Sequence, residues 1–113
     1  MKDAMKVVPA PEPVKTGVQK VKPLAKALAE ALADTYRLVF KTHAYHWNVE
    51  GALFYPIHKL TEAQYEDLFA ATDAIAERIR ALGQLAPARL SDVIEASIVK
   101  RFGPRPALAA VNA

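Results

Sequence analysis

The chain has 113 residues and a formal net charge of +3, room for one small domain with a modest core. It has no cysteine, which excludes a disulfide framework, and no apolar run approaches the roughly 18–20 residues of a membrane span. Hydrophobic residues make up 52% but aromatics only 8%, and alanine is abundant, a balance that favours helices over sheets.

Residues 1–22 differ in material from the rest. Pro9, Pro11 and Pro13 alternate with small and polar residues, so no helix can hold there. Lys2, Lys6, Lys15, Lys20 and Lys22 face only Asp3 and Glu12. The stretch reads as a flexible basic tail that buries too little to order itself. It is either a solvated tail or an arm that neutralises DNA phosphates, with many arms adding by avidity on an oligomer. The N-terminus lacks the apolar core of a secretion signal, which makes the cytoplasm the expected compartment.

Pro23 suits the first turn of a helix, predicted over about 23–49 and stopped by Gly51. On it, Leu24, Leu28, Leu32, Thr35, Val39 and His46 share one face. Residues 50–55 form a turn, and Pro56 starts a second helix that runs to about Leu82, with Gly83 as its C-cap. Its apolar positions Ile57, Leu68, Ile75, Ile79 and Leu82 follow the 3.6-residue period. Residues 90–100 predict a short helix capped by Ser91 or Asp92.

The chemistry concentrates between His43 and Glu77. At about 100° per residue, His58, Glu62, Asp73 and Glu77 fall within roughly one 100°-wide stripe of the second helix. At about 1.5 Å rise per residue, however, His58 and Asp73 lie about 22 Å apart. One metal centre cannot use both ends of the same helix. Either there are two unrelated half-sites, or a second chain related by a two-fold axis brings its Asp73 and Glu77 to the first chain's His58 and Glu62. His46, a few residues before the turn, approaches His58, a few residues after it, in an antiparallel hairpin. Two neutral imidazoles with carboxylates and open positions suit non-haem Fe(II) better than structural zinc. His43 sits at the edge of the stripe and reads as a core or surface residue, and Trp47 as a packing residue.

The runs KTHAYHWNVEG, FYPIHKLTEAQYEDL and ATDAIAERIRALG resemble the Dps family, the ferritin-like DNA-binding proteins from starved cells, over about residues 20–85. The resemblance implies His46, His58 and Glu62 as iron ligands from one subunit, with Asp73 and Glu77 from its two-fold mate. It implies a mono- or di-iron ferroxidase centre between subunits, inside a hollow dodecamer that stores ferric mineral. It further implies hydrogen peroxide as oxidant, protection of DNA from oxidative damage, and a tryptophan beside the iron. True ferritins build the centre within one bundle from Glu-x-x-His pairs. Here Phe40, His43 and Tyr55 stand three residues before the histidines, which excludes that version.

The resemblance also sets a departure. Dps chains continue with two more long helices, whereas this sequence continues into RFGPRPALAAVNA, where Gly103, Pro104 and Pro106 break any helix. It reads as truncated after the second long helix. The expected architecture is all-α: a ferritin-like hairpin, the first half of a four-helix bundle, plus a short helix. The partial domain spans 23–102, an irregular tail follows over 103–113, and association through a two-fold interface completes the fold. The function so implied is Fe(II) oxidation and ferric iron storage. The alternative is a DNA-binding or structural fragment whose iron site is never assembled, with nucleoid association if DNA is bound.

Overall fold

A computed structural model describes residues 10–97. Among them are three helices and no strand: α1 (Val21–Asn48), α2 (Phe54–Ala81) and α3 (Leu90–Ala96). This is the all-α hairpin plus short helix that the periodicity predicts. Lys2, Lys6 and the 103–113 tail lie outside the described residues.

Both long helices begin two residues before their proline. Pro23 and Pro56 each occupy the third helical position, and the first i→i−4 bonds come from the next residues. Leu24 N–H donates to the Lys20 carbonyl at 3.2 Å and Ile57 N–H to the Leu53 carbonyl at 3.2 Å. The N–H groups of a first turn have no helical partner, so proline costs nothing anywhere within it. The predicted start at the proline itself is therefore too late, and Lys22 belongs to α1 rather than to the tail.

Gly51 does not stop α1. The helix ends where Val49 turns extended (φ −66°, ψ 140°), its N–H still donating to Tyr45. Gly51, at φ +102°, opens the connecting turn, and its carbonyl accepts from Phe54 N–H at 3.1 Å. At the other end Gly83 is the predicted stop signal, one residue beyond the cap Leu82. Its φ is +82°, its N–H donates to the Arg80 carbonyl at 2.9 Å, and Gln84 N–H donates to the Ile79 carbonyl at 3.3 Å. That pair of bonds is a Schellman closure, which satisfies the last carbonyls of α2. For α3 the cap is Arg89 rather than Ser91 or Asp92; Asp92 falls in the first turn and accepts both guanidinium contacts of Arg89, at 3.2 and 3.3 Å.

The buried core lies toward the open end of the hairpin. Ala25, Leu32 and Ala33 of α1 meet Ile79 and Leu82 at the end of α2, and Val93 of α3 closes the cluster. The three alanines Ala25, Ala29 and Ala33 recur every fourth residue, which lets the helices approach closely around Ile79, itself 1% exposed. Of the predicted stripe, Leu32, Val39 and His46 are buried, but Leu24 is 40% exposed, the buried face at that level being taken by Val21 and Ala25. Ser97 Oγ donates to Asp34 Oδ1 at 2.6 Å and ties α3 to α1.

The N-terminal stretch meets the end of α2 at Gly83. Glu12 N–H donates to the Gly83 carbonyl at 2.8 Å. A Cβ at Gly83 would collide with the Glu12 carbonyl oxygen and come within 2.8 Å of Val14 Cγ2. Gly83→Ala combines this collision with a left-handed φ, and is expected to cost about 1–3 kcal/mol of stability. A thermal or urea melt of the full chain checks this.

Candidate metal centre

The closed end of the hairpin is built on a reciprocal pair. His46, in the last turn of α1, is 8% exposed, and His58 lies in the second turn of α2. His46 Nδ1 stands 2.8 Å from the His58 carbonyl oxygen, and His58 Nδ1 stands 2.8 Å from the His46 carbonyl oxygen. A carbonyl oxygen can only accept, so both Nδ1 atoms carry the hydrogen. The rings stack at 3.7 Å between centroids with 17° between planes. The His46 carbonyl is one of the last carbonyls of α1, which have no helical partner, so the His58 ring caps that helix.

The same bonds decide the tautomer. With Nδ1–H committed to the backbone, each neutral imidazole presents its lone pair at Nε2. Thr61 supports the arrangement. It is 7% exposed, donates to the Ile57 carbonyl at 2.8 Å, and turns its oxygen to His46 Nδ1 at 3.4 Å.

Glu62, one turn after His58, completes a group of three donors. Ligand atoms of His46, His58 and Glu62 all lie within 4.8 Å of one another. Three donors around one ion at about 2.1 Å lie about 3.0–3.6 Å from one another, so closing the group takes about an ångström of side-chain movement. Two imidazole nitrogens and one carboxylate oxygen fit a divalent transition ion such as Fe(II), and leave positions open. Lys59 Nζ also reaches Glu62 Oε2, at 3.2 Å. The hydrogen bond to Glu62, and then the charge of that carboxylate, raise the Lys59 pKa above its ordinary value.

Asp73 and Glu77 do not join this group. Both are exposed, and both lie farther along α2, Asp73 about 22 Å beyond His58 at 1.5 Å per residue. His43 stays outside as well: its ring stacks on Trp47 at 4.7 Å and lies tilted by 39° against Tyr65 at 3.9 Å. Trp47 packs less than predicted, remaining 60% exposed with Phe40 edge-on at 6.4 Å. Three neighbours escaped sequence reasoning. Tyr65 sets its edge against His46 at 5.2 Å, Phe54 stacks on His58 at 4.9 Å, and Lys59 holds Glu62. The signal was helical spacing: positions 54, 58, 62 and 65 share a face of α2, and Lys59 stands three residues before Glu62.

The reciprocal pair makes a stability prediction. His46→Ala and His58→Ala each remove one inter-helix hydrogen bond and the shared ring stack, and each is expected to cost about 1–2 kcal/mol. The double variant is expected to cost less than the sum, since the stack is lost once. Urea melts of the three variants measure both quantities, and helix content by circular dichroism is expected to stay nearly unchanged.

Comparison with known proteins follows the same lines. A family model described as a ferritin-like domain matches residues 25–112. The chain is 52% identical over 56 residues to an uncharacterized low temperature-induced protein of Nostoc sp., covering 50% of this chain and 31% of that one. It is 43% identical over 68 residues to a DNA protection during starvation protein of Helicobacter pylori, covering 60% of this chain and 47% of the relative. The crystal structure of a Dps protein from Vibrio cholerae O1, described as a member of a broad superfamily of ferritin-like diiron-carboxylate proteins, superposes with a TM-score of 0.70. The two are 33% identical, with 73% of this chain and 52% of that one covered. The chain thus spans about a third to a half of the length of these relatives. With its helical hairpin, its histidine and carboxylate cluster and these matches, the chain belongs to the ferritin-like family and, within it, to the Dps proteins.

Proposed function

We propose that this chain binds Fe(II) through His46, His58 and Glu62 and oxidises it at a site shared by two copies related by a two-fold axis. The observation that carries this reading is the convergence of the three donors, with both imidazoles fixed by their Nδ1 bonds so that Nε2 is the ligating atom. Asp73 and Glu77 of a second copy supply the remaining oxygen ligands. Their exposure and their stripe in common with His58 and Glu62 on α2 support that role. Fe(II) is the substrate and hydrogen peroxide the oxidant. Two Fe(II) ions each lose one electron, and one peroxide takes both electrons and two protons to give two waters. The ferric product is sequestered in the oligomer, and removing ferrous iron together with peroxide protects DNA. The name of the Helicobacter pylori relative and the diiron-carboxylate description of the Vibrio cholerae protein support this reading.

A two-copy site has an arithmetic signature. A variant carrying His46→Ala and His58→Ala, and another carrying Asp73→Ala and Glu77→Ala, are each expected to be inactive in Fe(II) oxidation. Co-refolded at equal amounts, half of the dimers are mixed and half of their sites are whole, so about a quarter of wild-type activity is expected to return. Mixed dimers, verified by differential tagging, that remain inactive would reject the shared site. Wild-type protein without oxidation would leave the reading of a structural or DNA-binding fragment.

DNA binding by the N-terminal stretch belongs to the same proposal. Lys15, Lys20 and Lys22 are exposed, and no helix among the described residues is long and apolar enough to cross a membrane. Replacing Lys2, Lys6, Lys15, Lys20 and Lys22 by alanine is expected to weaken DNA retardation and flatten its salt dependence. Equal gel shifts at low and moderate salt, with and without the lysines, would remove the arm from the function.

A further inference from the structure

Glu62 is held by a cation that belongs to the chain. Lys59 Nζ lies 3.2 Å from Glu62 Oε2, one turn apart on α2, with side-chain exposures of 51% and 35%. The ammonium donates directly to a carboxylate oxygen of the three-donor group. No other carboxylate is paired with Lys59 among the described residues. A carboxylate oxygen engaged by an ammonium cannot offer the same lone pair to a metal ion. Even an ion that takes the opposite oxygen meets a fixed positive charge a few ångströms away.

We propose that Lys59 competes with the incoming metal for the Glu62 carboxylate, so that metal uptake requires the Lys59–Glu62 pair to break and Lys59 sets the affinity of the site. This rests on the assignment of His46, His58 and Glu62 as ligands. The physical content is a threshold. Where ferrous iron is scarce the lysine keeps the carboxylate, and where it is abundant the divalent ion displaces a monovalent competitor. The long lysine stem, half exposed, lets the ammonium swing into water without moving α2. The cost is therefore the lost pair and the residual repulsion between lysine and metal, with no refolding.

The test uses the full chain and Co(II), a redox-stable divalent ion whose visible absorption reports ligation. Lys59→Met removes the charge and keeps the stem, and is expected to tighten Co(II) binding by about three- to tenfold, from the loss of an exposed ion pair plus repulsion at short range. Lys59→Arg retains a competing cation and is expected to remain near wild type. In a Glu62→Gln background the Lys59→Met effect is expected to shrink to the residual lysine–metal repulsion, which assigns the remainder to competition on that carboxylate. Wild-type binding with an unchanged or weaker affinity in Lys59→Met overturns the proposal, the weaker value assigning Lys59 to holding Glu62 in place. Wild-type protein that binds Co(II) no better than the His46→Ala, His58→Ala variant removes the site itself, and the proposal with it.

Discussion

The hairpin depends on two imidazoles that each do two jobs. Through Nδ1, His46 and His58 bond each other's backbone carbonyls across the closed end; the lone pair this leaves at Nε2 is the one each ring can offer, beside Glu62, to a metal ion. A side chain-to-backbone bond between helices fixes their relative rotation and register more tightly than apolar contact, which is non-directional. The ligand geometry is therefore a by-product of how the helices are joined. A metal site that must be preorganised gains from this, because the residues that would bind the ion cannot relax independently of the backbone.

The opposite end is held differently. There Ile79 sits against the alanines of α1, Leu82 and Val93 close over it, and the Schellman turn at Gly83 accepts the incoming N-terminal stretch at Glu12. Away from these contacts the outer faces of the helices carry apolar side chains. Phe40, Leu60, Phe69, Leu90 and Ile94 are each more than half exposed. So much exposed aromatic and aliphatic surface on a chain of this size is characteristic of a protein that associates. It agrees with the proposed role of a second copy in completing the site.

Much of this was legible in the sequence, and the illegible part has a common cause. The 3.6-residue period revealed both long helices; proline marked their starts to within two residues and Gly83 the end of α2, whereas Gly51 did not stop α1. The errors fell where a rule about position was applied too narrowly, as with proline at the first helical residue only. His46, His58 and Glu62 were legible because helix geometry converts spacing into faces, and the same geometry kept Asp73 and Glu77 apart. The ring-to-carbonyl bonds were not legible, because their acceptors are backbone atoms and every residue has one. Nor was the Glu12 contact at Gly83, where a glycine read as a helix stop also makes room for a passing strand of backbone. The His43, Trp47 and Tyr65 stack joins two helices, and spacing within one helix says nothing about it.

The alanine ladder of α1 has a mechanical consequence. Ala33 is fully buried among Leu32, Ile79 and their neighbours, and close-packed interiors resist added volume. Any added volume there forces the helices apart at that level, while the histidine pair keeps them joined about 20 Å away along α1, at 1.5 Å per residue. The hairpin then behaves as a pair of tongs with its pivot at the ligands, and separation at one end reaches the other as a twist of the two rings. Residues remote from the proposed iron ligands and without any chemistry of their own thereby bear on how the imidazoles are aimed.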